Sequence, residues 1–204
     1  LADTRKEHRR TMADAKKVLT TERGAFRFLT LGREEVIKGK PTGKQGGGII
    51  FKGDALEKMK QEVEEFISDT FPAKKAAGVN RPFKTDKEGN VFLPAKAFVR
   101  TKEGAAINIP VADKHGDLIK GTLPQIGNGS IGRFRVMLRP SEFGGKDYIN
   151  VRLLSVKLLK LVEGSSTGFG NEDEDFEDDD EFIAGAHTNS SEPSDDGFDD
   201  EIPF

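Results

Sequence analysis

The 204-residue chain contains no cysteine and no tryptophan, a single tyrosine and only 3 histidines. Without thiols there is neither a disulfide framework nor a thiolate metal site, which suits a reducing compartment. His8, His115 and His187 lie far apart in polar segments, and none has metal-ligand spacing. No apolar run approaches the roughly 18–20 residues of a membrane span, and no apolar stretch follows the basic residues near the N-terminus, so neither a membrane partner nor a signal peptide is expected. Catalytic signatures are equally scarce. Ser141 has no histidine near it in sequence, and the acids at 172–181 lack the spacing of a calcium loop. Residues 39–45 (GKPTGKQ) imitate a phosphate loop but are one residue short between the glycines, with Gln45 where a magnesium-binding hydroxyl belongs. The expectation is a non-enzyme without cofactor or metal.

What the chain has is charge, sorted by position. The formal net charge of −3 conceals a body, residues 1–163, that holds all 32 Lys and Arg against 20 acids and so carries +12. From Gly164 onward there are 15 acids and no Lys or Arg. A basic body joined to an acidic tail points to a surface for a polyanion plus a detachable imitation of that polyanion. Three segments follow: a basic N-terminal arm over 1–23, a folded domain over 24–163, and a disordered acidic tail over 164–204 that serves protein interactions.

Within the body, residues 25–31 read as a strand with Phe26 and Phe28 on one face, 39–48 as a flexible loop, and 49–51 as a strand resuming. Leu56, Met59, Val63, Phe66 and Ile67 recur at helical spacing between a cap at Asp54 and a stop at Pro72. A basic loop at 73–89 carries Lys74, Lys75 and Arg81. Residues 91–102 and 105–111 flank Glu103-Gly104 as a hairpin, followed by a turn at 113–117, a strand at 131–139, a turn at 141–147 and a long strand at 148–162. One helix among five or more strands joined by short turns predicts a small barrel or sandwich.

Period-two alternation separates core from surface. Along 91–102 the odd positions Val91, Leu93, Ala95, Ala97 and Val99 are apolar, while Phe92, Lys96, Phe98, Arg100 and Lys102 face the other way. Arg133, Arg135 and Arg139 lie opposite Phe134, Val136 and Leu138; Tyr148, Asn150 and Arg152 lie opposite Ile149, Val151 and Leu153. Aromatics interleaved with cations suit a surface that stacks bases and neutralises phosphates. The competing assignment, that Phe92 and Phe98 fill a gap beneath the helix, keeps the phosphate contacts and weakens the stacking. Beyond Ser155 the strand becomes almost continuously apolar, as a bulge or a second buried surface would require.

The tail adds Phe169, Phe176, Phe182, Phe198 and Phe204 among its acids, a spacing suited to short docking motifs. Its end, Asp199-Asp200-Glu201-Ile202-Pro203-Phe204, resembles the DDDIPF-type tip of bacterial single-stranded DNA-binding proteins, and with it the tail is read as the protein-interaction site. From about Val91 to Phe176 the body resembles the single-stranded DNA-binding proteins of tailed bacteriophages, including podovirus replication systems. The resemblance rests on the hairpin, the Leu123-Pro-Gln-Ile-Gly-Asn-Gly-Ser130 turn, the strand ending Leu138-Arg139-Pro140, and the last strand running into Gly168-Phe169-Gly170 and acids. It implies a mainly β fold, a five-stranded OB-fold barrel with one inserted α-helix, often dimeric, that coats single-stranded DNA in phage replication, recombination and repair. It further implies a tail that competes with DNA and contacts phage DNA polymerase and helicase/primase, in the cytoplasm of an infected bacterium. The tip adds host proteins that read such ends. An RNA-binding protein or nucleic-acid chaperone on the same barrel is the alternative.

Overall fold

A computed structural model describes residues 15–163. The expectations for the first part of the arm and for the whole tail, Asp199 to Phe204 included, lie outside the described residues.

Five strands make the body: β2 (Gly24–Thr30), β5 (Lys44–Ile50), β7 (Val91–Phe98), β9 (Ile131–Phe143) and β10 (Lys146–Lys160). β2 pairs antiparallel with β5, and β5 with β7 from Lys44↔Phe98 to Ile50↔Phe92. β7 meets β10 in parallel at Lys96↔Arg152; β10 forms a long antiparallel hairpin with β9, and β9 returns to β2 at Gly24↔Gly132. The sheet closes on itself in the order β2-β5-β7-β10-β9, antiparallel except where β7 meets β10. That is the OB-fold, as expected. Shorter strands decorate it: β1 (Lys17–Thr20), β3 (Val36–Ile37), β4 (Lys40–Pro41), β6 (Lys84–Thr85) and β8 (Val111–Ala112).

Alternation fills the interior as the sequence predicts. Leu93, Ala95 and Ala97 from β7, Phe134, Val136 and Leu138 from β9, and Ile149, Val151 and Leu153 from β10 are all buried. Phe26 stacks on Phe134 with ring centroids 4.9 Å apart. Helix α1 (Gly53–Thr70) adds Met59, Val63, Phe66 and Ile67 to the same core, and Pro72 follows its end; a short α2 (Ala73–Ala76) comes next. Asp54 is not the cap: the helix starts one residue earlier, after Lys52, and Asp54 sits in the first turn, where its charge favours the helix N-terminus.

Three local features depart from expectation, and a fourth meets one of two alternatives the sequence left open. Part of the expected arm is strand β1, pairing with β9 from Lys17↔Leu138 to Thr20↔Arg135; Leu19 packs on the core and Lys17 bonds Glu62 and Glu65 of α1 at 2.7 and 3.0 Å. The glycine run read as loop is strand β5, because only a residue without Cβ fits there. A Cβ at Gly46 would lie 2.2 Å from the Ala95 carbonyl oxygen, and one at Gly47 2.8 Å from the Leu29 backbone. β7 stops at Phe98, and the hairpin continues as an isolated bridge, Arg100↔Ala106. Finally, β10 skips a register between Leu153 and Ser155; this bulge at Leu154 accounts for the loss of alternation there.

Candidate nucleic-acid interface

The outer face of β5 and β7 is set by Gln45, which points the other way. Its amide is fully buried: Oε1 accepts from the Gly32 N–H at 2.9 Å, and Nε2 donates to the carbonyls of Phe98 and Ile107. One side chain thus ties the connection between β2 and β3 to the end of β7. On the outside, β7 presents Phe92, Lys96 and Phe98 in that order, opposite Ile50, Gly46 and Lys44 of β5. At about 3.3 Å per residue the row spans roughly 20 Å.

Each member of the row has a distinct environment. The Phe92 ring lies across Gly48, where a Cβ would come within 2.8 Å of it, and the Arg27 guanidinium covers it at 5.5 Å. Arg27 also stands 5.0 Å over the Phe28 ring and is ion-paired with Asp86. Asp86, whose side chain is 3% exposed, accepts the backbone N–H groups of Glu88 and Asn90 at 2.9 and 2.8 Å and so is fixed by its own turn. Lys96 is ion-paired with Glu35 from the loop before β3. Phe98 is open, 59% exposed.

Phe28 is 64% exposed and does not share a face with Phe26 as expected. The β2–β5 register shifts between Arg27 and Thr30, Phe28 takes a φ of 48°, and its N–H donates to Asn128 Oδ1 at 2.7 Å. A bulky residue held at positive φ is strained, and it is this turn of the backbone that puts the ring outside. Two hairpins complete the surface. β3 and β4 join through Lys38 and Gly39, both at positive φ, with Val36 and Ile37 exposed. β9 and β10 join through Gly144 and Gly145, again both at positive φ, the pattern of a tight two-residue turn, with Phe143 79% exposed beside Lys146. In OB barrels the face of the second and third strands, with the loops 1–2 and 4–5, binds oligonucleotides; here these are β5, β7 and the two hairpins.

The residues named from sequence do not gather into one patch. Phe92, Lys96 and Phe98 share the β7 face, Arg152 sits beside Lys96 across the parallel pair, and Arg100 and Lys102 are exposed on the following turn. Arg133, Arg135 and Arg139 point outward from β9, opposite Lys157, Ser155 and Asn150 of β10; β9 is next to neither β5 nor β7 in the ring. Arg152 links the two walls, since it also pairs with Met137. Arg81 is engaged elsewhere: Nε and Nη2 grip both oxygens of Glu64 at 2.7 and 2.8 Å, and Nη1 donates to the carbonyls of Ala77 and Val79. Those hydrogen bonds hold the Glu64 carboxyl below its ordinary value and Arg81 above its own. Lys74 and Lys75 lie on α2, and Tyr148 is half-buried in a bridge with Asn80. Sequence reading missed Arg27, Phe28, Glu35, Lys44 and Phe143. The pair of glycines after Phe143 was a usable signal; the bulge at Phe28 had none.

Fold and surface together define an OB barrel with aromatic and cationic side chains on the outer face of its second and third barrel strands. Among solved structures, it is similar to gp2.5, a single-stranded DNA-binding protein encoded by bacteriophage T7, with a TM-score of 0.56 and 18% identity over 87% of this chain and 98% of that one. The single-stranded DNA-binding protein of bacteriophage Enc34 is similar too: its C-terminal truncation gives a TM-score of 0.53 at 16% identity over 72% of this chain and 88% of that one. The resemblance read from the sequence is therefore met by the structures that share its fold. No protein-family model and no curated protein matches the sequence.

Proposed function

We propose that the protein binds single-stranded DNA without sequence preference and coats it during phage DNA replication, recombination and repair, as a non-enzymatic partner of the replication machinery. The observation that carries this is the β5–β7 wall, where Phe92, Lys96 and Phe98 alternate along one strand with Phe28 and Arg27 beside them and Arg152 adjoining Lys96. Bases stack on the open rings and phosphates meet the cations, a combination indifferent to base identity because every base has a π-face. The shared fold with two phage single-stranded DNA-binding proteins supports the same assignment. The Arg133, Arg135 and Arg139 row offers a continuation for the strand beyond Arg152.

The acidic tail, with 15 acids in residues 164–204, competes with DNA for the cationic wall. Displaced by DNA, it offers the Asp199–Phe204 tip to phage DNA polymerase and helicase/primase and to host proteins that read such ends, so that coating the strand becomes the recruitment signal. The setting is the cytoplasm of an infected bacterium, and the protein acts as a homodimer. Fluorescence anisotropy on labelled single-stranded DNA, its duplex and the matching RNA tests the assignment. Single-stranded DNA should bind tightest; deleting 164–204 should tighten it further, most at low salt, while Phe204→Ala leaves affinity intact and abolishes polymerase capture. Equal affinity for duplex would overturn the proposal, preference for RNA would favour the RNA-binding alternative, and a truncated chain that binds no tighter would remove the competition.

A further inference from the structure

The cationic wall carries two acid–base pairs that differ in kind. Arg27–Asp86 is anchored: Asp86 is nearly inaccessible and already accepts backbone N–H groups from its own turn. Lys96–Glu35 is not. The Glu35 side chain is 24% exposed, and among the described residues Lys96 is its one hydrogen-bond partner. The backbone of Glu35 is held independently, its N–H donating to the Lys44 carbonyl at 2.7 Å and its carbonyl accepting from Thr42 at 3.0 Å. The carboxylate can therefore leave Lys96 without the loop coming apart.

On the reading of the β5–β7 wall as a single-stranded DNA site, we infer that Glu35 is a built-in stand-in for a phosphate on Lys96, exchanged for the backbone phosphate when a strand binds. The free protein keeps its central cation neutralised. A bound strand must displace a carboxylate that stays nearby and repels it, so the pair contributes almost no net charge to binding. Asp86 does not exchange; it keeps Arg27 stacked against Phe92 and Phe28 in both states.

Replacing Glu35 by Gln keeps the backbone bonds and removes the competing charge. One extra effective cation steepens the plot of log affinity against log salt by about 0.7 and is worth about eightfold in affinity at about 0.05 M salt, about fourfold at about 0.15 M. The test is an anisotropy titration of labelled oligo-dT with the full chain, at both salts, for wild type, Glu35→Gln, Glu34→Gln, and Glu35→Gln in a Lys96→Gln background. Glu34→Gln removes the same charge from the same loop and should gain far less. The gain from Glu35→Gln should vanish when Lys96 is absent, as a double-mutant cycle reads it. If Glu34→Gln tightens binding equally, if the gain persists without Lys96, or if Glu35→Gln binds like wild type, the exchange is refuted while the DNA-binding assignment stands. If wild type itself fails to bind oligo-dT, it is the assignment that falls, and the exchange with it.

Discussion

Phe28 offers the sharpest separation of binding from folding. Its φ of 48° costs an L-residue about 1–2 kcal/mol, and glycine at the same position is free of that cost. Against this, Phe28→Gly gives up about 0.5–1 kcal/mol of burial from a ring already 64% exposed. It also gives up about 0.5–1 kcal/mol of cation–π contact with Arg27, and about 0.5–1 kcal/mol in added unfolded-state freedom. Taken at their midpoints, the three losses exceed the relief of strain by less than about 1 kcal/mol, so thermal unfolding should move by less than about 4 °C. Binding should respond quite differently, because removal of one stacked base is worth about 1–3 kcal/mol, a loss of roughly 5- to 150-fold. Phe92→Ala is the counterpart. That ring roofs Gly48 beneath Arg27, and its removal should cost roughly 2 kcal/mol of stability. Circular-dichroism melts alongside oligo-dT anisotropy would measure both quantities. A Phe28→Gly protein that binds like wild type, or that melts as early as a core variant, would refute the role given to the ring.

Gln45→Leu removes, at a fully buried position, the hydrogen-bond partner of the Gly32 N–H and of the carbonyls of Phe98 and Ile107, so it should cost about 2 kcal/mol, read as a lower urea midpoint with loss of DNA affinity as the Phe98 end loosens. Glu64 supplies a pH dependence. Its carboxyl is lowered from 4.5 by the hydrogen bond from Arg81, so its stabilising contribution is present above the ordinary carboxylate value and is lost as pH falls through the lowered one. The urea midpoint of wild type should therefore drop more between neutral pH and pH about 3 than that of Glu64→Gln.

How far the chain declares its own structure depends on whether the determining contact is local. The interior of β7 was legible because the apolar Leu93, Ala95 and Ala97 alternate with a register that carries Lys96 and, past the strand's end, Arg100 and Lys102, and α1 because Met59, Val63, Phe66 and Ile67 keep a helical period. The circumference of the barrel was not. Alternation says that Arg133, Arg135 and Arg139 point outward, but which wall they occupy follows from β9 lying between β2 and β10, a pairing between residues more than a hundred positions apart. The glycines misled for a related reason. Gly46, Gly47 and Gly48 read as flexibility because the residues that need their missing side chains, Ala95, Leu29 and Phe92, come from two other strands. Seen from those neighbours, the run is a cradle: it lets β2 and β7 approach β5 closely, gives the Phe92 ring a flat seat, and leaves the middle of the wall without side chains that would hold a strand away from Lys96. The same lack of side chains makes Gly48→Ala a poor tolerance site despite its place on an outer face, since a Cβ there would lift Phe92 out from under Arg27 and disturb the ordered row on which the DNA-binding proposal stands.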